Sequence, residues 1–170
     1  IAEDAGIAGL ALHGRSREDA YRGNAEHETV RRVKQVVGIP VLANGDIDSA
    51  ETALRVLEKT GADGLLIGRG AQGRPWLFAQ IHHLLATGRS LPAPTPDVQR
   101  DTVLRHIEAI HAFYGEPMGV RIARKHIGWY LADWPGGPAL RREIVRIESP
   151  TAQLETLATG LEARCLSHAA

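Results

Sequence analysis

Three short apolar segments, each followed by a helical pattern, constrain the fold of the first half of the chain. They are GLALHG at 9–14, IPVLANGD at 39–46 and DGLLIGRG at 63–70. Near-continuous apolar runs of this length are typical of parallel strands buried on both faces. Amphipathic segments at 28–37 and 49–61 separate them, so the alternating order of strands and helices predicts a parallel α/β architecture.

The second of these helical segments carries signals at both ends. Ser49 precedes it and can accept a hydrogen bond from a backbone N–H of the first turn. Gly61 closes it at the position where a left-handed residue is favoured. Both residues therefore predict the limits of a helix at 49–61.

The pattern changes after the third segment. Residues 88–96 include three prolines and predict a linker between domains. No strand pattern follows it, and four helical segments are predicted at 98–115, 119–134, 138–149 and 150–166. We therefore expect an α/β domain at 1–87, a linker at 88–96 and an all-α domain, a four-helix bundle, at 97–170.

Composition excludes several classes of protein. Apolar residues make up 44% of the chain and charged residues 24%, which is ordinary for a globular protein. No apolar run approaches the roughly 20 residues of a membrane-spanning helix. A single cysteine, Cys165, excludes an internal disulfide framework and favours a cytoplasmic location. Because the chain opens on Ile1 inside a helix–strand pattern, we expect it to be a fragment.

Polar residues and glycines follow each predicted strand. His13 ends the first strand, Asn44-Gly45-Asp46 follows the second, and Gly68-Arg69 follows the third. In (β/α) barrels this is the ligand-binding face, and the last loops form the usual phosphate site. These positions therefore predict a site for a phosphate-bearing cofactor or substrate. The alternative is that the glycines only make tight turns and that Asp46 caps the next helix.

Basic residues are concentrated in one part of a chain whose net charge is zero. Residues 121–146 contain six basic and two acidic side chains. Their spacing predicts that Arg121, Arg124 and Lys125 share one helix face, and that Ile122, His126 and Trp129 face the domain interior. Arg141 and Arg142 would extend the basic surface. It is either a nucleic-acid interface or a solvated helix face.

Four segments resemble one family of enzymes. HGRSR at 13–17 with YRGNA at 21–25, NGDI at 44–47, IGRGAQGRPWLF at 67–78 and RIARKHIGWYL at 121–131 are similar to tRNA-dihydrouridine synthases, most of all the bacterial B type. The resemblance covers nearly all 170 residues. It implies the C-terminal portion of a TIM (β/α)8 barrel that binds FMN, followed by a helical tRNA-binding domain.

The resemblance also implies an activity and the residues that serve it. FMN would accept hydride from NADPH and reduce a D-loop uridine of tRNA to 5,6-dihydrouridine. The positions that match FMN contacts are His13, Asn44, Gly45, Asp46, Gly68 and Arg69. Contacts to the substrate and tRNA are expected from Arg15, Arg17, Arg121, Arg124, Lys125, Arg141 and Arg142.

The chain departs from the family pattern at the proton donor. In the family this donor is a cysteine in the first half of the barrel, whereas Cys165 lies in the last predicted helix. We therefore expect no catalytic residue in this chain, and no activity from it alone. The histidines have no metal-ligand spacing, so no metal is expected, and the sequence implies no protein partner.

Two other functions remain open at this point. One is an FMN-dependent barrel oxidoreductase that acts on a small molecule, which leaves the basic helical domain without a role. The other is a non-catalytic RNA-binding module whose α/β part is only a scaffold.

Overall fold

The computed structural model describes residues 1–16, 18 and 22–168, without the side chains of 164–168. Arg17 therefore lies outside the described residues, as does the side chain of Cys165. The chain divides into two compact units, one of residues 1–71 and 75–92 and the other of residues 72–74 and 93–170. In the described part, no helix is both long and apolar enough to span a bilayer.

The first unit contains a three-stranded parallel sheet in the order β1-β2-β3. The strands are β1 Leu10–His13, β2 Val41–Asn44 and β3 Gly64–Leu66. The helices are α1 Glu28–Lys34, α2 Ala50–Thr60 and α3 Leu77–Thr87, with a 3-10 turn at Arg69–Ala71. The parallel α/β architecture predicted for this half of the chain is confirmed.

The core of the first unit forms around the middle strand. Val41 and Ala43 of β2 are fully buried, and Val30 of α1 and Ala53 of α2 belong to the same cluster. The prediction that all three strands are buried on both faces is wrong. Half-buried and exposed residues alternate along β1, as expected for a strand with only one of its faces covered.

The ends of α2 form as predicted. The Ser49 side chain accepts a hydrogen bond of 3.0 Å from the Thr52 N–H, and Gly61 adopts the left-handed conformation with φ +65°. The helix before it, α1, is shorter than the amphipathic segment at 28–37 that predicted it. It ends at Lys34 because Val36 N–H donates to Val33 in a tighter turn.

The second unit consists of four helices in its described part. They are α4 Pro96–Tyr114, α5 Met118–Tyr130, α6 Gly137–Ile144 and α7 Pro150–His168. The predicted inner face of α5 is wrong: Ile122, His126 and Trp129 are only half-buried. The buried stripe instead contains Val120, Ala123, Ile127 and Tyr130, which share a face at helical spacing.

A buried glutamine links three helices of this unit. Gln153 of α7 is fully buried. Its Oε1 lies 2.8 Å from Nε2 of His111 on α4, and its Nε2 donates to the carbonyl of Val120 on α5 at 3.5 Å. Because the amide nitrogen is the donor to Val120, His111 must donate to Oε1 through its Nε2–H.

Candidate functional sites

A cleft of about 560 Å³ lies at the carboxyl edge of the sheet in the first unit. Its lining comes from the loops that follow all three strands. Most of the predicted site residues of this unit meet there: His13, Arg15, Asn44, Gly45, Asp46, Gly68 and Arg69. The carboxyl ends of parallel strands share one edge of the sheet, which explains why residues distant in sequence converge.

Asn44 connects the ends of the three strands. Its Oδ1 is hydrogen-bonded to Nδ1 of His13, and its Nδ2 donates to the carbonyl of Leu66. The strand register requires this arrangement, since His13 and Leu66 both pair with Asn44. The imidazole must therefore carry hydrogen on Nδ1, which leaves Nε2 as an acceptor when the ring is neutral.

Asp46 and Arg15 fasten the loop after β1 to the cleft. The Asp46 carboxylate accepts hydrogen bonds from the Ala25 N–H at 2.6 Å and from Arg15 Nη2 at 2.7 Å. The same Nη2 donates to the carbonyl of Gly23 at 2.7 Å. The Ala25 N–H, and then the Arg15 guanidinium, hold the pKa of Asp46 below its usual value.

These contacts give two of the predicted site residues structural partners. The Arg15 side chain is only 4% exposed and holds the loop, although it also lines the cleft, and its contact with substrate stays a prediction. The Asp46 carboxylate is bonded within its own chain, and its contact with FMN stays a prediction. The Asp46 backbone is unusual, with φ +50° after Gly45 at φ +121°, and shapes the turn at the cleft.

The glycines around the cleft have different structural requirements. A Cβ on Gly14 would lie 2.2 Å from the carbonyl oxygen of Glu26, and one on Gly70 would lie 2.1 Å from that of Ile47. Gly45 has a positive φ, and a Cβ added to it would lie 2.6 Å from the Cβ of Ala25. A Cβ on Gly68 would meet nothing within 4 Å, and its φ lies outside the left-handed region. Tight packing therefore explains three glycines but not Gly68.

Sequence reasoning missed His27, which lies beside the cleft turn. Its ring approaches the Cβ position of Gly45 to 3.9 Å and is buried. Burial lowers the pKa of His27, with a smaller contribution from Lys59. Its position just before a predicted helix gave no sign of burial, because the contact depends on the folded turn at 44–46.

The basic residues of the second unit do not all lie on one surface. Arg121 and Lys125 are exposed and four residues apart, and the Lys125 ammonium lies 5.0 Å from the centre of the Trp129 ring. Arg124 is half-buried and its Nη2 donates to the carbonyl of Ile147 at 3.0 Å. The predicted shared face of three basic residues is therefore reduced to Arg121 and Lys125.

Arg141 and Arg142 are both exposed in the last turn of α6. They line a groove that also includes Gly128 of α5. The predicted extension of the basic surface onto this helix is therefore compatible with their exposure. Their contact with RNA stays a prediction.

A parallel α/β sheet with a polar cleft at its carboxyl edge, followed by a helical unit, is compatible with a class of barrel enzymes with an added domain. The profile of the dihydrouridine synthase (Dus) family matches residues 1–165. The chain belongs to the dihydrouridine synthase family.

Individual relatives agree with this assignment. The chain is 59% identical over 153 residues to tRNA-dihydrouridine synthase B of Pseudomonas putida, which covers 90% of the chain and 45% of that protein. It is 56% identical over 154 residues to tRNA-dihydrouridine synthase B of Xanthomonas axonopodis pv. citri, a match that covers 91% of the chain and 46% of that protein. The protein of the same name from Vibrio vulnificus is 52% identical over 157 residues, which cover 92% of the chain and 49% of that protein. The chain thus spans about half the length of these relatives.

Proposed function

We propose that this chain is the C-terminal half of a B-type tRNA-dihydrouridine synthase, which reduces a D-loop uridine of tRNA to 5,6-dihydrouridine. The observation that carries the proposal is the 59% identity over 90% of the chain to a protein of that name. The cleft supports it, because the residues implied by the resemblance converge at one edge of the sheet. We also propose that it acts in the cytoplasm.

The same proposal assigns an architecture to the parts of the chain. Residues 1–87 would supply three strands of an eight-stranded barrel, 88–96 the linker, and 97–170 a four-helix bundle that binds tRNA. The exposed positions of β1 support this assignment, since Ala11 and His13 are exposed on an outer strand. Three strands cannot close a barrel alone, so the remaining strands would cover β1.

The cleft residues fit FMN as the cofactor. Gly68 leaves room where a Cβ would meet nothing within 4 Å, and Arg69 follows it in the lining of the cleft. A phosphate can approach the backbone at such a glycine and receive charge-assisted hydrogen bonds from the arginine. Once bound, FMN supplies the hydride chemistry, with NADPH as the reductant.

The other cleft residues orient the bound groups. Asn44 holds the His13 imidazole by its Nδ1–H, so that His13 faces its ligand with a defined tautomer. Gly45 and the strained backbone of Asp46 form the wall of the cleft. Arg15 keeps the loop at 22–26 in place through Asp46 and Gly23. The protein thereby supplies position and electrostatics for the reduction.

The proton donor for C5 of the uracil would lie outside this chain. The family's donor is a cysteine in the first half of the barrel, and Cys165 belongs to the last helix, α7. We therefore propose that residues 1–170 are inactive alone. Arg121, Lys125, Arg141 and Arg142 would contact the tRNA backbone, because folded RNA is recognised mainly through shape and phosphates.

Mapping dihydrouridine in cellular tRNA tests the proposal. Deleting the gene that encodes this chain should convert one D-loop dihydrouridine to uridine, and restoring the gene should reverse the change. The purified gene product should be yellow and release FMN on denaturation. An unchanged dihydrouridine map would contradict the proposal.

The same measurements separate the alternatives. A yellow protein with no effect on tRNA would indicate an oxidoreductase of a small molecule. A colourless protein that binds tRNA would indicate a non-catalytic RNA-binding module.

A further inference from the structure

Residues 72–74 interrupt the first unit in sequence, but they pack with the helices of the second unit. They directly follow the 3-10 turn at Arg69–Ala71 and come shortly before α3. None of the three residues belongs to the lining of the cleft. The chain therefore leaves the edge of the cleft, reaches the helical unit for three residues and then returns to the first unit.

Gly73, in the middle of this segment, lies against the backbone at the end of α5. A Cβ on Gly73 would overlap the carbonyl oxygen of Trp129, and it would lie 2.6 Å from the carbonyl carbon of Trp129 and 3.0 Å from the backbone nitrogen of Tyr130. The φ of Gly73 is +71°, a conformation that residues with a Cβ rarely adopt. Glycine is required here because two backbones approach each other closely.

The peptide group that Gly73 contacts is itself held in place. Tyr130 is buried, and its hydroxyl lies 2.9 Å from Nδ1 of His106 on α4. The carbonyl of Trp129 also accepts a hydrogen bond of 3.4 Å from the Ala132 N–H. Contacts to a neighbouring helix and to the following turn thus fix this end of α5, which makes it a firm support for Gly73.

A second close contact holds the 3-10 turn on the side of the cleft. A Cβ on Gly70 would lie 3.0 Å from the Cα of Asp48, so the turn packs against the loop that follows β2. Three of the six residues at 68–73 are glycines, and such a segment has large conformational freedom when nothing contacts it. Close packing at Gly70 and at Gly73 removes this freedom.

We propose that Gly73 is a positioning residue for the FMN phosphate, because its packing on α5 holds Gly68 and Arg69 in the geometry that binds this group. The inference rests on the proposed function, which assigns the phosphate to these two residues. A site that is ordered before its ligand arrives avoids the entropy cost of ordering during binding. The helical unit thereby contributes to cofactor affinity through the chain at 70–73.

Binding of FMN and of riboflavin to the flavin-free form of the full gene product tests the inference, with quenching of flavin fluorescence as the measurement. Riboflavin lacks the phosphate, so the ratio of the two affinities reports the contribution of the phosphate alone. Gly73→Ala should lower this ratio about tenfold, as expected when one charge-assisted contact is lost. The affinity for riboflavin should stay as in wild type.

Two further variants separate position from backbone strain and from folding. Gly136→Ala is the matched control, because Gly136 also belongs to the second unit and has φ +75°, but a Cβ there would meet nothing within 4 Å. It should leave the affinity ratio as in wild type. Gln72→Gly introduces no side chain that could clash, so it decides the question if Gly73→Ala does not fold. It should lower the ratio about threefold, because it restores backbone freedom between the support and the turn.

The outcomes distinguish this inference from the proposed function. A wild-type ratio in Gln72→Gly and in folded Gly73→Ala overturns the inference and leaves the proposed function standing. Equal losses of FMN and riboflavin affinity in Gly73→Ala, or an equal fall of the ratio in Gly136→Ala, also overturn it, since they show a general loss of stability. A wild-type protein that binds neither flavin overturns both the inference and the proposed function.

Discussion

Arg15 and Asp46, 31 residues apart in sequence, are joined by an N–O distance of 2.7 Å. The arginine side chain is 4% exposed and the aspartate side chain 37% exposed. The pair closes the loop at 22–26 against the turn after β2, because Asp46 also accepts the Ala25 N–H. The cleft wall therefore depends on one carboxylate.

Replacing this carboxylate should loosen the wall. We expect Asp46→Asn to lower the free energy of unfolding by about 2 kcal/mol, because it removes charge-assisted bonds and leaves the Arg15 charge without its partner. Asp101→Asn breaks an exposed pair with Arg100 and should cost less than about 1 kcal/mol. Chemical denaturation measures both variants, and equal losses would contradict the role of Asp46.

The stability that the Arg15–Asp46 contact contributes should decrease at acidic pH. Because the folded pKa of Asp46 lies below its ordinary 3.8, its stabilising contribution is complete above that value. The contribution is lost as pH falls through the lower folded pKa. Wild-type stability should therefore drop more steeply below pH 3.8 than that of Asp46→Asn, as denaturation at several acidic pH values can show.

His27 should make stability depend on pH in a milder range. Its buried ring has a pKa below the ordinary 6.5, so its contribution is complete above pH 6.5 and declines as pH falls. His27→Gln should flatten the slope of unfolding free energy between pH 6.5 and 5, by at most about 1.4 kcal/mol per pH unit. A slope that His27→Gln does not change would remove His27 from this role.

Two neighbouring glycines should respond differently to alanine. Gly70→Ala places a Cβ 2.1 Å from the Ile47 carbonyl oxygen and should destabilise the protein by about 2–3 kcal/mol. Gly68→Ala meets no atom within 4 Å and should change stability by less than about 0.5 kcal/mol. Under the proposed function it should nevertheless reduce FMN affinity, measured by flavin fluorescence. Normal FMN binding by Gly68→Ala would argue against a phosphate at this position.

Gln153 should be one of the most sensitive positions of the helical unit. Gln153→Ala creates a cavity, removes the bond to the Val120 carbonyl and leaves the Nε2–H of His111 without its partner, so we expect a loss of about 3 kcal/mol. Exposed Glu155→Ala on the same helix should change stability by less than about 0.5 kcal/mol. Thermal unfolding compares the two, and similar melting temperatures would show that the Gln153 bonds contribute little.

Local signals in the sequence predicted the elements of the first unit well. Ser49 and Gly61 limit α2 through a side-chain cap and a left-handed residue, and both are determined by neighbours along the chain. Convergence of Asn44 and Gly68 in one cleft followed from the geometry of parallel strands. These features need no knowledge of long-range packing.

Long-range contacts account for what the sequence did not show. Spacing placed Arg124 with Arg121, but the carbonyl of Ile147, 23 residues away, draws it into the fold. Nothing in the sequence indicated that Asp46, 31 residues away, binds the guanidinium of Arg15. The inner face of α5 was assigned to Ile122, His126 and Trp129, whereas the buried side chains are Val120, Ala123, Ile127 and Tyr130. In each case a partner distant in sequence decides the outcome.

The buried amide of Gln153 has a consequence for protein synthesis. Since it bridges α4 and α5 from the last helix, a nascent chain still missing that helix cannot complete the interior of the second unit. A prematurely terminated product would expose apolar surface and unpaired polar groups, which proteases recognise.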